Sequence, residues 1–309
     1  MRESDFLKLN KIFIISPGRT GTKFLAENMN KMSNSVYSIH EPDRLSIRKD
    51  GFKENIQKIK KIGFSNAVIK KLLGTHGSRN LSLNKISGKL SQATVQKRLY
   101  EDRKWIPIEI DLYIEANPQL FGLIEELLNL KNSRVLLLFR DPRDWVASWV
   151  NRGSWYDRKD ILTQIDMFGL KRLTPKNIGQ KLPEWKNYSR FQKLCWAWSI
   201  MNGIFYNSCK PNYSNLTYFF FEDIFVNKEA TEIRRLLIFL LGEVYNDNIL
   251  YNFMDLLKKK TNTNPKESFP KWTHWDPSLC VQLEYMCGNL MSKLGYGKEN
   301  YWLKKTGRF

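Results

Sequence analysis

The chain has 309 residues, 42% of them hydrophobic, and it carries a formal net charge of +19. This apolar content excludes a disordered chain, and the length suits one large α/β domain or two smaller domains. Only three histidines and four cysteines occur, so we expect no His/Cys zinc site and expect free thiols in a reducing compartment. The charge favours anionic partners such as nucleic acid, a membrane surface or acidic small molecules.

The N-terminal segment MRESDFLKLN is charged and contains no apolar core of the kind found in signal peptides. No apolar run in the chain reaches the ~20 residues that a transmembrane helix requires. We therefore expect a soluble, cytoplasmic protein without a transmembrane segment.

The first strand is predicted at Ile12–Ile15, and a helix is expected to begin near Thr20. A strand that turns through glycines into a helix forms an anion site, because free backbone N–H groups and the helix dipole point to one place. The side chains expected around that place are Arg19, Thr20, Thr22 and Lys23. A phosphate-like ligand is the prediction, and an ordinary strand–helix turn with solvated basic residues is the alternative.

The spacing of this loop differs from that of a nucleoside-triphosphate P-loop, which requires G-x-x-x-x-G-K-[ST]. Gly18 and Gly21 are separated by three positions, and Lys23 is followed by Phe24. The hydroxyl that would bind magnesium is therefore missing from its position in the motif.

A second strand is predicted at Val36–Ile39, where Pro42 prevents a simple continuation. In a parallel sheet its end opens beside the phosphate loop. A carboxylate placed there could act as a general base toward an acceptor hydroxyl. Glu41 is the first choice for that base and His40 the alternative, and a simple capped turn is the competing interpretation.

The next segment, at about 49–104, is basic and has helical spacing. We interpret it as an insertion between the second and third strands, either with solvated helix faces or as a basic wall for an anionic acceptor. The third strand is predicted near Tyr113–Ala116, with a helix at Gln119–Leu130. Glu115 lies near the end of that strand, and its role is open.

A fourth strand is predicted at Val135–Phe139, because a continuous apolar run is typical of a strand covered on both faces. Arg140 follows it directly, and Pro142 suits the first turn of the next helix. Ligands bind at the carboxyl ends of strands in open parallel sheets. We therefore expect Arg140 to face the same crevice as Arg19.

The C-terminal half continues the alternation of strands and helices. The predicted pieces are a loop-rich stretch at Arg152–Trp185, a helix at Phe191–Ser208, a strand at Leu216–Phe221, helices at Lys228–Leu241 and Asn246–Lys259, a loop at Thr261–Pro277 and a helix at Pro277–Leu294. This order predicts a single α/β domain over residues 1–309, with a parallel sheet of about five strands and helices on both faces.

Four stretches, in this order along the chain, resemble the sulfotransferases that use 3′-phosphoadenosine 5′-phosphosulfate (PAPS), most closely glycan-modifying and bacterial members. They are PGRTGTKFL, RDPRDWVAS, FFFEDIF and the segment from KWTHWDPS to LGYG. The resemblance implies a fold related to the P-loop kinases. It also implies transfer of a sulfuryl group from PAPS to a hydroxyl by in-line displacement.

The resemblance also implies roles for individual residues. The 5′-phosphosulfate loop comprises Gly18, Arg19, Thr20, Gly21, Thr22, Lys23 and Phe24. Arg140 and Ser148 are expected to hold the 3′-phosphate, and Lys271 and Trp272 to close over it. Arg19 takes the position of a lysine that contacts the bridging oxygen in many members, and Glu41 or His40 is the implied base. Lys23 departs from the second threonine of many members.

No metal is expected, because the cationic loop takes the role of magnesium. The expected acceptor is a carbohydrate or another small hydroxyl compound, which can be anionic. We expect no specific nucleic-acid partner. Two alternatives remain open. One is a P-loop-type kinase, which would need the missing hydroxyl motif. The other is a non-catalytic basic module that binds nucleotides or nucleic acid, which would leave the Arg140–Ser148 spacing unexplained.

Overall fold

A computed structural model shows a five-stranded, wholly parallel sheet flanked by helices, which confirms the predicted α/β class. The structure describes residues 1–45, 52–153, 155–157, 160, 169, 171–259 and 269–308. The strands are β1 (Asn10–Ile15), β2 (Val36–His40), β3 (Leu112–Ala116), β4 (Ser133–Phe139) and β5 (Leu216–Phe220).

The order of the strands across the sheet is β2-β3-β1-β4-β5. The chain leaves β1 toward β2 on one side, and it leaves β4 toward β5 on the other. The carboxyl ends of the adjacent strands β1 and β4 therefore form a topological switch point, where open α/β sheets bind ligands. The segments that begin at Ser16 and at Arg140 both start there.

The helices cover both faces of the sheet. They are α1 (Glu3–Lys8), α2 (Thr22–Met29), α3 (Phe52–Ile62), α4 (Lys70–Leu72), α5 (Ser78–Ile86), α6 (Gln92–Glu101), α7 (Ile124–Leu128), α8 (Pro142–Arg152), α9 (Arg190–Cys209), α10 (Ala230–Leu241), α11 (Asp247–Lys258), α12 (Pro277–Lys293) and α13 (Asn300–Thr306). Alternate residues of β1 enter two separate cores: Phe13 and Ile15 pack in one layer, and Ile12 and Ile14 in the other. The run is apolar throughout because both of its faces are buried.

Several boundaries differ from the predicted ones. The helix expected at Gln119–Leu130 is a 3₁₀ turn at Pro118–Leu120 followed by α7. At Gly122 a Cβ atom would lie 2.8 Å from the Ser82 carbonyl oxygen, so close packing against α5 interrupts the helix. The predicted loop regions at Arg152–Trp185 and Thr261–Pro277 lie partly outside the described residues, as do residues 49–51 of the insertion.

The basic insertion is helical, as predicted, and comprises α3 to α6 together with a π-helical turn at Ser65–Ile69. It is not only a solvated surface. Leu81, Val95 and Leu99 are fully buried and belong to the larger of the two cores. The insertion therefore packs as part of the domain.

A buried ion pair joins this insertion to β3 and gives Glu115 a structural role. The Arg103 guanidinium donates two hydrogen bonds of 2.6 Å to the Glu115 carboxylate, and both side chains are almost completely buried. Tyr113 and Asn117 each donate a further hydrogen bond of 2.8 Å to the same carboxylate. Charges removed from water are tolerated only with this degree of pairing.

We predict that Arg103→Met lowers the free energy of unfolding by about 3–5 kcal/mol, because it leaves the Glu115 carboxylate buried without its cation. The matched control is Arg234→Met, which breaks the exposed pair with Asp247 and should cost less than about 1 kcal/mol. Urea denaturation of the two variants measures both values. Equal losses in the free energy of unfolding would mean that the buried pair stabilises the fold no more than an exposed pair does.

Candidate functional site

The loop between β1 and α2 has an unusual backbone. Gly18, Arg19 and Gly21 have positive φ angles of 78°, 58° and 74°, and α2 begins at Thr22 instead of near Thr20 as predicted. The left-handed conformation at Gly21 ends the loop and delays the helix. The first-turn N–H groups of α2 face the switch point, as an anion site requires.

Gly21 is required by its neighbour as well as by its own conformation. A Cβ atom at this position would lie 2.3 Å from the ring of Phe225. Phe225 belongs to a π-helical turn at Glu222–Val226, directly after β5, and stacks on Phe221 with ring centroids 5.1 Å apart. The segment FFFEDIF therefore packs against the glycine loop.

Side chains from α8 and from Arg140, directly after β4, hold the loop from the other side. Trp145 donates from Nε1 to the Gly18 carbonyl at 2.8 Å, and the Arg140 guanidinium donates to the Arg19 carbonyl. Arg19 in turn donates from Nε to Ser148 Oγ at 3.0 Å. The structure thus brings together the predicted residues Arg19, Arg140 and Ser148.

Arg19 and Arg140 form no ion pair within the described part of the chain, although the carboxylates of Asp144, Glu222 and Asp141 lie within electrostatic range of Arg140. No carboxylate oxygen of a described residue lies within 4.0 Å of either guanidinium. Burial lowers the pKa of both, and the charge of Arg140 lowers the pKa of Arg19 further. Arginine stays protonated in proteins, so two partly buried cations lie side by side. This arrangement favours an anion between them.

Thr20 Oγ1 and Arg140 Nε, both near the loop, are buried and have no hydrogen-bond partner among the described residues. Leaving such an atom unpaired costs about 1–3 kcal/mol. The Arg140 guanidinium also lies 4.2 Å from the Phe221 ring centroid, a contact that fixes its plane. The loop therefore leaves polar atoms for which the described residues supply no hydrogen-bond partner.

His40 and Glu41 extend the site at the end of β2. His40 Nε2 lies 3.3 Å from Thr22 Oγ1, within hydrogen-bond distance, and burial lowers the pKa of the His40 imidazole. Glu41 is 5% exposed and has a positive φ angle of 43°. Burial raises its pKa, but the charge of Arg44, that of His40 when it is protonated, and the Arg44 hydrogen bond outweigh this and lower the pKa overall. Glu41 is therefore ionised and His40 neutral at pH 7.

The remaining predicted residues lie at different places around the loop. Lys23 is exposed, with Nζ 3.4 Å from Glu27 Oε1, and the Phe24 ring packs in the core against Phe225, so only the Phe24 backbone N–H remains for a ligand. Trp272 covers Arg143, whose guanidinium lies 4.0 Å from a Trp272 ring centroid.

Lys271 and Arg140 are linked through a shared neighbour. The Asp144 carboxyl lies within electrostatic range of both side chains. The C-terminal segment that carries Lys271 is thus near the start of α8.

Several residues of this site were not predicted from the sequence. Trp145 and Phe225 lie in motifs that the sequence identified, but the approach of an indole or a ring to a glycine loop depends on tertiary packing. Glu222 also contributes, because its carboxylate accepts a hydrogen bond of 3.0 Å from the Asp141 N–H and one of 2.8 Å from Tyr296.

Among the described residues, no group of three or more His, Cys, Asp and Glu side chains is arranged to hold a metal ion. Within the same residues, no helix is both long and apolar enough to cross a membrane. No protein-family model matches the sequence, and no curated protein matches it either.

We predict that Gly21→Ala destabilises the protein more than Gly63→Ala. Both glycines have positive φ angles, but a Cβ atom at Gly63 meets nothing within 4 Å. The left-handed backbone costs an L-residue about 1–2 kcal/mol at each position. At Gly21 the overlap with the Phe225 ring adds about 1–3 kcal/mol. Chemical denaturation measures the difference, and equal losses would contradict a tight contact between loop and ring.

Proposed function

We propose that the protein is a PAPS-dependent sulfotransferase with the corresponding sulfotransferase fold. The observation that carries the proposal is the pair of guanidinium groups, Arg19 and Arg140, which have no carboxylate partner among the described residues and converge on a glycine loop at a helix N-terminus. Fixed cations and free backbone N–H groups at a sheet switch point suit a nucleotide phosphate.

The residues present fit the two ends of this nucleotide. The backbone from Gly18 to Phe24 and the hydroxyls of Thr20 and Thr22 suit the 5′-phosphosulfate, and Lys23 adds charge at the rim. Phosphate oxygens are the acceptors that Arg140 Nε lacks among the described residues. When bound, PAPS supplies an activated sulfuryl group.

Arg140 and Ser148 suit the 3′-phosphate, with Lys271 and Trp272 at the edge of the same region. The contact between Arg19 and Ser148 at 3.0 Å supports the proposal, because it joins a residue assigned to each end of the nucleotide. Binding of the 3′-phosphate would draw Ser148 into a new hydrogen bond and leave Arg19 for the transferring group.

The chain's own residues supply the chemistry of transfer. The acceptor hydroxyl would give its proton to a base of this chain, and bound PAPS would supply the sulfuryl group and its 5′-phosphate as the leaving group. Arg19 would neutralise the charge on that leaving group, a fixed electrostatic contribution. No divalent ion is required in this proposal, because the loop cations take that role.

Glu41 is our choice for the base, with His40 as the alternative. Two hydrogen bonds hold Glu41 in its strained conformation with a positive φ angle. Its N–H donates to the Ala116 carbonyl at 3.1 Å, and Arg44 donates to its carboxylate. Strain of this kind is concentrated at functional sites. The ionised carboxylate can accept a proton, and so can the neutral His40 imidazole.

We predict that the desulfonated product 3′-phosphoadenosine 5′-phosphate (PAP) binds much more tightly than AMP or ADP. Arg140→Ala should lower PAP affinity by roughly ten- to a hundredfold and change AMP affinity little, because a charge-assisted contact to the 3′-phosphate contributes about 1.5–3 kcal/mol. Calorimetry with the three nucleotides measures these affinities.

The control is Arg134→Ala, which removes an arginine from the amino end of the same strand and should leave PAP affinity unchanged. A protein that binds nucleotides only through its general charge would lose little affinity in either variant. Equal affinity of the wild type for PAP and ADP would remove the main support for the proposal.

We predict that Glu41→Gln lowers kcat by about 10²–10⁴-fold, the usual contribution of a general base, and leaves PAP affinity close to that of the wild type. A base acts in the transition state, so its loss appears in turnover. The measurement is transfer from PAPS to the best acceptor in a panel of hydroxyl compounds. The comparison variant is His40→Gln; if it alone abolishes turnover, the role of base passes to His40.

A further inference from the structure

Three arginines form a second cationic cluster beyond Glu41. Arg44 follows β2, Arg79 lies in the first turn of α5, and Arg172 lies in the segment before the 3₁₀ turn at Lys176–Ile178. Burial lowers the pKa of Arg79, and the charges of Arg172 and then Arg44 lower it further. Geometry places both other arginines on segments next to Arg79: the Ser78 N–H donates to Asp43, which precedes Arg44, at 2.6 Å, and α5 packs against the turn that follows Arg172.

The carboxylates near this cluster neutralise two of the three charges. Arg44 pairs with Glu41, and Arg172 donates two hydrogen bonds of 2.8 Å to Asp160. Arg79 donates from Nε to the neutral amide oxygen of Gln119 at 2.6 Å. No carboxylate oxygen of a described residue lies within 4.0 Å of its nitrogens.

Asp43 is the other carboxylate whose charge reaches Arg79, but it is already engaged. Its oxygens accept hydrogen bonds of 2.6 Å from the Ser78 N–H and 3.1 Å from the Ser78 hydroxyl. Lys71 lies 4.0 Å away and balances its charge. Arg79 is thus a half-buried guanidinium whose remaining N–H groups have no carboxylate acceptor among the described residues.

The position of Arg79 relates this guanidinium to the transfer site. Arg79 follows Ser78, whose N–H donates to Asp43, two positions after Glu41, and the charge of Arg79 contributes to the lowered pKa of Glu41. Glu41 in turn follows His40, which contacts Thr22 of the phosphate loop. The sequence of groups from the loop outward is therefore phosphate site, base, then arginine cluster.

We propose that the acceptor is an anionic hydroxyl compound, whose phosphate, sulfate or carboxylate group binds to Arg79 with Arg44 and Arg172 beside it. The planar fork of Arg79 suits a two-point contact with such a group. The hydroxyl that faces Glu41 belongs to the same molecule, and this part of the inference rests on the proposed function. The anion site itself does not.

The test is equilibrium dialysis of the full chain with ³²P-labelled inorganic phosphate in the presence of saturating PAP, which occupies the glycine loop. We expect one phosphate site on the wild-type protein. In Arg79→Gln the affinity for phosphate should be weaker by about tenfold or more, the loss typical of one charge-assisted contact. The control Arg98→Gln removes the same charge from α6 of the same insertion and should bind phosphate as the wild type does. Retained PAP binding shows that the variants fold.

Phosphate binding that is absent from the PAP-saturated wild type, or that is as tight in Arg79→Gln as in the wild type, overturns the inference. If PAP itself does not bind, the proposed function fails, and the dialysis is repeated on Arg140→Ala without nucleotide. That background lacks the guanidinium assigned to the 3′-phosphate, and dependence of phosphate binding on Arg79 still decides whether the cluster is an anion site.

Discussion

The site depends on the backbone of residues 16–21, because every other contact is arranged around its left-handed turns. Positive φ angles at Gly18, Arg19 and Gly21 direct the loop N–H groups toward the switch point. That conformation is unfavourable for an isolated chain. It is maintained here by hydrogen bonds from Trp145 and Arg140 to the loop carbonyls and by the Phe225 ring against Gly21. The loop and its supports therefore form one cooperative unit.

The presence or absence of a carboxylate partner distinguishes the structural arginines from those proposed to bind ligands. Arg103 is deeply buried and fully paired with Glu115, so it stabilises the contact between the insertion and the sheet. Arg19, Arg140 and Arg79 are partly buried and have no carboxylate partner among the described residues. Burying a cation without a counter-ion costs free energy, which an external anion can recover. Function is thus expected where the pairing is incomplete.

The sequence predicted the fold and the main loop for physical reasons that act locally. Continuous apolar runs such as Val135–Phe139 identify doubly covered strands, and the glycines before α2 identify an anion loop. It did not predict the break at Gly122 or the shorter α2, because close packing against α5 and the left-handed Gly21 decide those boundaries. Nor did it single out Arg79 among fifty basic residues, since a lone charge has no local pattern.

By itself the sequence determined the parallel α/β class, the order of the strands along the chain and the two arginines expected at the switch point. Periodicity and turn residues suffice for these, because they depend on neighbours in the chain. Only the tertiary structure decided that Glu115 is a structural partner of Arg103, that Phe24 faces the core, and that Arg79, near Glu41, has no carboxylate partner among the described residues. Charge balance depends on which side chains come into contact, and these contacts join residues that can be more than a hundred positions apart in the sequence.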